Sequence, residues 1–332
     1  MKALIRIMSL MTSSQTINLP DTRVQRCGLP ATQSSKHYWR LPTAAQADVP
    51  LAVAEQSRYA AGARLRFKTN SRSLILEGES WSEVSQQGID CLVDGCYWRT
   101  LWLNRGERSE QPLYQGLSPQ TREIELYFPA EQEISIHRLS IDTDAVIAPA
   151  AEFAASAPLV FYGSSIVQGA GASLSCMSYP AIVARALQMD FHNWGFYGAG
   201  KAEPEVVAQV IAHPASAFIL DLGRSFGRQD IEVYRSMLKQ IRAVHARVPI
   251  VVITPIFSVR EHFDSKLAHR SEQLRLLMSL ATEVVTGVTL VNGLSVLGHN
   301  DWPGLSNDGL HPNERGFELI AQRLLPTIKE LL

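Results

Sequence analysis

An all-β sandwich or jelly-roll domain followed by a three-layer α/β/α domain is the fold class that this 332-residue sequence predicts. Three observations carry the expectation. From Lys36 to Asp144, short segments alternate polar with apolar residues, as half-buried strands do. After Pro158, apolar runs recur between helical stretches of roughly ten to twenty residues, the rhythm of a parallel sheet with crossover helices. Between these halves, the stretch 145–158 is rich in Ala and Pro and reads as a linker. The length exceeds what one average core serves, so two domains are expected, 1–150 and 158–332, with the first thirty or so residues irregular.

The chain opens on MKALIRIMSLMTSS, where Arg6 interrupts the apolar run and no small-x-small cleavage site follows. A removable leader is therefore the lesser reading. In the β half, 64–68 and 73–77 alternate cleanly. Cys91–Val93 and Cys96–Leu103 flank Asp94-Gly95, a two-residue hairpin turn. That turn pairs Val93 with Cys96 and Cys91 with Trp98, so the two thiols do not face each other. Segments 123–128 and 133–141 continue the pattern. Trp39, Trp81, Trp98 and Trp102 read as sandwich core more readily than as a sugar-stacking face. In the second half, the strands are 159–162, 190–194, 217–222, 249–254 and 288–292. One long helix spans 264–285, capped by Asp264, with Leu267, Leu274, Leu277, Met278, Ala281 and Val285 on one face.

Composition narrows the function classes. A net charge of −1 and the lack of any Lys/Arg tract give no electrostatic reason to expect a nucleic-acid partner. No run approaches the roughly 18 apolar residues of a membrane span. Four scattered cysteines are too few for a disulfide framework and suit reduced thiols and a cytoplasmic location. The nine histidines show no metal-ligand spacing, so no metal is expected. The oligomeric state is left open.

The chemistry-bearing residues gather at strand ends. LVFYGSSIVQG, residues 159–169, carries a serine pair onto a glycine-flanked turn. The second strand is followed by Gly195 and Gly198, the third by Gly223-Arg224-Ser225, and the fifth, after a loop, by Asp308-Gly-Leu-His311-Pro312. In an open parallel sheet all of these meet on one rim. A serine hydroxyl needs an imidazole to take its proton, and the imidazole needs a carboxylate to fix its tautomer. Asp308 and His311, three apart, meet that need within one turn.

A rival reading comes from Gly195–Ala202, which fits the phosphate-binding loop GxxxxGK up to its last position. Phe218–Asp221 resembles the strand that ends in a Mg²⁺-associated Asp. Ala202 stands where the Mg²⁺-ligating Ser or Thr belongs, and nucleotide binding leaves Ser165, Asp308 and His311 unexplained.

Residues 163–169, 193–198 and 308–312 resemble three blocks of the GDSL, or SGNH, hydrolase family. The resemblance is to the branch in which Ser replaces the Asp of the first block and a β domain precedes the hydrolase. It implies a flavodoxin-like α/β/α domain that needs no cofactor and a small-molecule ester as substrate. It also implies Ser165 as nucleophile, His311 as base, Asp308 as its orienting carboxylate, and Ser165 and Gly198 N–H groups as an oxyanion hole. One block departs: Ser225 stands where the family has an oxyanion-binding Asn. Either Ser225 reaches the oxyanion, or Arg224 substitutes, or turnover is slow. Arg224 is alternatively an anion-binding residue for the substrate. Hydrolysis and acyl transfer to an alcohol or amine share the acyl-enzyme half and stay unseparated.

Overall fold

The computed structural model describes residues 13–30, 36–83, 85–227 and 230–332. The first twelve residues, read above against a leader, lie outside them. The β half builds two antiparallel sheets from β1 (Ser14–Asn18), β2 (Gln25–Cys27), β3 (Arg64–Thr69), β4 (Leu74–Ser80), β5 (Ile89–Val93), β6 (Cys96–Leu101), β7 (Ser109–Tyr114), β8 (Arg122–Tyr127), β9 (Ile134–Asp142) and β10 (Ile147–Pro149). One sheet has the order β1-β9-β4-β7 and the other β10-β3-β8-β5-β6, with β2 also on β3. The alternating residues face each other as the pattern requires. Leu74, Leu76, Leu139 and Ile141 from one sheet meet Leu65, Phe67, Ile124 and Leu126 from the other in a single core, all fully buried.

Four expectations need correction here. The stretch 145–158 is not all linker, because β10 pairs with β3 through Ile147–Pro149. The 91–99 hairpin carries a bulge between Cys91 and Leu92, so Cys91 pairs with Arg99 and not with Trp98. The half read as uniformly β contains a helix, Leu51–Ser57, started by Pro50 in an Ala-rich stretch whose 3.6-residue pattern is too short to stand out. The tryptophans are not sandwich core: Trp81, Trp98 and Trp102 are each nearly half exposed. Trp39 is partly exposed and stacks on His37.

The second half is one parallel sheet of order β12-β11-β13-β14-β15, from β11 (Leu159–Gly163), β12 (Phe191–Gly195), β13 (Ala217–Asp221), β14 (Ile250–Ile253) and β15 (Val288–Val291). The strands β11, β12, β13 and β14 are buried throughout because helices cover both faces of the sheet, while β15 at the edge stays partly exposed. Phe161, Phe191, Ile219 and Val251 face the helices Tyr179–Ala186 and Glu314–Leu331. Val160, Tyr162, Leu220 and Val252 face Pro204–Ile211, Ile231–Val244 and Ser265–Thr282. That last helix is the long one expected, and the Asp264 carboxylate accepts the N–H groups of Lys266 and Leu267.

The two halves pack on one another. Leu41, Ala45, Val49, Val53 and Ala54 pack into the α/β core beside Trp194 and Phe196. The sheet order also places a switch point at β11, which the chain leaves first for β12 on one side and then for β13 on the other. Ligand crevices in open α/β sheets form at such points.

Candidate active site

Strand β11 ends at Gly163, and Ser165 opens a single helical turn, Ser165–Gln168. That turn sits directly on the end of β12. A Cβ on Gly195 would come within 2.2 Å of the Gln168 backbone nitrogen, so only glycine admits the turn there. The Ser165 hydroxyl lies 2.8 Å from His311 Nε2. On the far side of the ring, His311 Nδ1 lies 2.6 Å from Asp308 Oδ2. Serine, imidazole and carboxylate therefore form one unbroken hydrogen-bonded line.

The loop that brings His311 back to Ser165 is built around the Asp308 carboxylate. Its Oδ1 accepts the N–H groups of Leu310 and His311 at 2.8 and 2.9 Å and the Ser306 hydroxyl at 2.8 Å. Burial pushes this carboxyl up, but those donors and the His311 ring together hold it well below the ordinary carboxylate range. It stays ionised and keeps the proton on Nδ1, which leaves Nε2 to face Ser165 as an acceptor. Asn313 then caps the C-terminal helix by accepting the Gly316 N–H, fixing the exit of the loop.

The N–H groups of Ser165 and Gly198 have no protein acceptor among the described residues. Gly198 has φ +66, a left-handed conformation open to glycine at little cost. Ser225 lies on the turn Gly223–Phe226 after β13, half-buried, and its hydroxyl makes no hydrogen bond among the described residues. Arg224 is not free for the anion-binding or oxyanion role considered for it. Its Nε donates to the Ser271 hydroxyl at 3.0 Å, and its Nη2 donates to the Ile256 carbonyl and pairs with Glu261, which also takes Arg275.

The β half closes one side of the rim. Gln168 donates to the Ala130 carbonyl at 2.9 Å and to Gln56 at 3.1 Å, and its Oε1 accepts the Tyr197 N–H at 2.8 Å. Gln87 donates to the carbonyls of Gly169 and Ala172, while its Oε1 accepts the Ala130 N–H and the Ser175 hydroxyl. Next to Ala130, the half-buried Glu131 makes no hydrogen bond or ion pair among the described residues. Burial pushes its carboxyl up and the His311 ring pulls it down, so it lies within electrostatic reach of the relay. Tyr197 covers the imidazole, with ring centroids 5.5 Å apart and planes inclined by 29°.

Ser165, Asp308 and His311 are thus brought together as expected from spacing. Gln87, Gln168, Glu131 and Tyr197 were given no role in that expectation. Gln168 lay inside the first block, but its partners at Gln56 and Ala130 are 112 and 38 residues away in sequence.

The phosphate-loop reading fails on the geometry of 195–202. Most of the N–H groups such a loop would offer to a phosphate are already taken: Tyr197 by Gln168, Ala199 by the Phe196 carbonyl, Lys201 by Glu203, and Ala202 by the Tyr162 hydroxyl. Asp221, which that reading sends to Mg²⁺, is fully buried against the Tyr179 hydroxyl, and burial pushes it up to about 7. Among the described residues, no three His, Cys, Asp or Glu side chains are grouped to hold a metal ion, and no helix is long and apolar enough to cross a membrane.

Comparison with known proteins agrees with this architecture. Residues 156–329 match the GDSL-like lipase/acylhydrolase family, and residues 17–147 match the N-terminus of SGNH-hydrolase-type esterases. Comparison with curated protein sequences returns no match. Among solved structures, a GDSL-like lipase candidate from Bacteroides ovatus superposes with a TM-score of 0.82 at 24% identity, over 96% of this chain and 98% of that one. A salicylyl-acyltransferase from a tetracycline biosynthetic pathway gives 0.82 at 22% identity, over 96% and 97%. A family two carbohydrate esterase from Cellvibrio japonicus gives 0.67 at 14% identity, over 96% and 98%. At these identities the likeness is one of fold, and it spans both halves.

Proposed function

This chain belongs to the GDSL-like lipase/acylhydrolase family, and on that premise we propose that it cleaves a carboxylic ester through an acyl-Ser165 intermediate. The observation that carries the reading is the relay itself, Ser165 to His311 at 2.8 Å and His311 to Asp308 at 2.6 Å. His311 Nε2 takes the Ser165 proton as Oγ attacks the carbonyl carbon, and Asp308 balances the imidazolium that results. The N–H groups of Ser165 and Gly198 receive the oxyanion, with the Ser225 hydroxyl as the third donor in place of the family's Asn. The imidazolium then gives its proton to the departing alcohol. In the second half, water enters, His311 deprotonates it, and collapse of the second tetrahedral adduct releases the acid and restores Ser165.

Transfer to an alcohol or amine acceptor is the second reading, because the imidazole is buried and the Tyr197 ring stacks on it, which limits the access of bulk water. The free thiols of Cys27, Cys91, Cys96 and Cys176 are in keeping with a cytoplasmic setting for either reaction. Labelling with a fluorophosphonate, with the modified residue located by mass spectrometry, tests the nucleophile; label on any serine but Ser165 overturns it. Product analysis of an ester panel with and without added acceptors then separates the two readings. Free acid alone means hydrolysis, and a new ester or amide means transfer.

A further inference from the structure

Arg40 is a buried cation with no acid paired to it among the described residues; it is 1% exposed, and its guanidinium donates to carbonyls. Five carbonyl and ring contacts hold it. Nε donates to the Tyr59 carbonyl at 3.0 Å and Nη2 to the Gln56 carbonyl at 2.5 Å. Nη1 donates to the carbonyls of Asn193, at 3.1 Å, and Gly195. The guanidinium lies over the Phe196 ring at 4.9 Å. Burial lowers it to about 9. Burying an unpaired cation is costly, and an apolar side chain would avoid that cost. The arrangement therefore calls for something that these donors supply.

What they supply is a partner for an open sheet edge. Strand β12 is the edge strand of the parallel sheet and, among the described residues, pairs only with β11. The Asn193 and Gly195 carbonyls are two residues apart and point to the same, unpaired side. The planar fork of Arg40 satisfies both at once from the N-terminal half. Three residues after Gly195 comes Gly198. The N–H groups between are each held by another partner, Gly195 by the Asn193 side chain, Phe196 by the Gly163 carbonyl and Tyr197 by Gln168, while the Gly195 carbonyl on the open edge is held by Arg40. The Arg40 backbone is itself tied down, its N–H donating to the Ser57 carbonyl at 2.7 Å.

We propose that Arg40 is a positioning residue for acyl transfer, locking the end of β12 so that the Gly198 N–H is aimed at the oxyanion. The inference rests on the reading of the rim given above, in which Gly198 is an oxyanion donor. It makes the N-terminal half part of the catalytic frame and not only a wall beside it. A misplacement of 1 Å in such a donor can cost about 10²-fold in rate.

The test compares wild type with Arg40→Lys and Arg40→Gln on p-nitrophenyl acetate, together with inhibition by phenylboronic acid, whose serine adduct is tetrahedral. A lysine has one ammonium and cannot span four carbonyls. The expected result is a fall in kcat of about 10- to 100-fold with KM within about twofold. The boronic acid should weaken by a similar factor, because it binds through the same donors. A variant that melts earlier but keeps kcat and boronic-acid affinity well below its melting temperature overturns the proposal, since that is what a merely structural arginine gives. Should one variant fail to fold, the other decides. Ser165→Ala run in parallel keeps the two claims apart: if it stays active the reading of the rim fails, and if it is dead while Arg40→Lys is normal only the role of Arg40 fails.

Discussion

The relay at the rim and the frame around it are built in opposite ways. The relay is local: Asp308 and His311 are three residues apart, and the loop between them is held by its own N–H groups. Only the contact with Ser165 crosses a long stretch of chain. The frame is long-range throughout. Arg40 reaches β12, Gln87 reaches Gly169 and Ala172, and Gln168 reaches back to Ala130 and Gln56. Each of these side chains is buried and has several partners, so each sets the distance between the two halves. The contrast suggests that chemistry resides in one half while its geometry depends on both. Truncating the N-terminal half would then remove part of the site's support as well as one of its walls.

The largest expected effect lies in the relay. Ser165→Ala should lower turnover of p-nitrophenyl acetate by about 10⁴-fold or more, while Ser164→Ala keeps most of it. The reverse result would move the nucleophile by one residue and break the comparison at its root. Asp308→Asn comes next, with a loss of about 10²–10⁴-fold in kcat. Its carboxyl is held below the usual range in the folded protein, so the stability it lends is present above the unfolded value near ~3.9 and is lost as pH falls through the folded one. Urea denaturation should therefore show a constant gap between wild type and Asp308→Asn above about pH 5, closing in acid. A gap that opened instead on the alkaline side would mean that Asp308 is not the ionised partner.

This division explains what could be read from the sequence. Five strand ends, the serine turn and the Asp-x-x-His spacing are written in consecutive residues, and β11 to β15 fall where the apolar runs place them. Strand β10 was hidden because Ile147-Ala-Pro149 has the composition of a linker, and only its pairing with β3 makes it a strand. The helix Leu51–Ser57 was hidden because it is stabilised by burial of Val53 and Ala54 in the core of the other half. Arg40 resembles any surface arginine until β12 is set beside it. Its neighbour Trp39 has no better signal, and three of the tryptophans assigned to the core are half exposed. Contacts between halves leave no periodicity in either half.

The frame should respond in stability before it responds in rate. Gln87→Ala strands the carbonyls of Gly169 and Ala172 and the Ala130 N–H, all at a buried seam. A loss of about 2–4 kcal/mol in unfolding free energy is expected, since each unsatisfied buried group costs about 1–3 kcal/mol and water can enter to recover part of it. The folded variant should lose less than about tenfold in kcat, because the relay does not touch Gln87. Equal losses from Gln87→Ala and Asp308→Asn in turnover, with stability unchanged, would erase the distinction between frame and relay.

Glu131 is where the two regions meet, and it gives the smallest and most discriminating test. It belongs to the β half, makes no hydrogen bond or ion pair among the described residues, and acts on His311 only through space. A carboxylate near the imidazole favours the protonated ring, and protonation of the ring is what ends activity in acid. Glu131→Gln removes that charge with little change of shape, so the acid limb of kcat/KM should move to lower pH by a fraction of a unit. Burial pushes the Glu131 carboxyl up while the His311 ring pulls it down, so the two groups act on each other through space. The plateau above the limb should change less than about fivefold, as for a partly screened charge. A limb that stays in place would mean that the β half supports the relay through contacts alone, and a limb that moves upward would mean that Glu131 opposes the imidazolium.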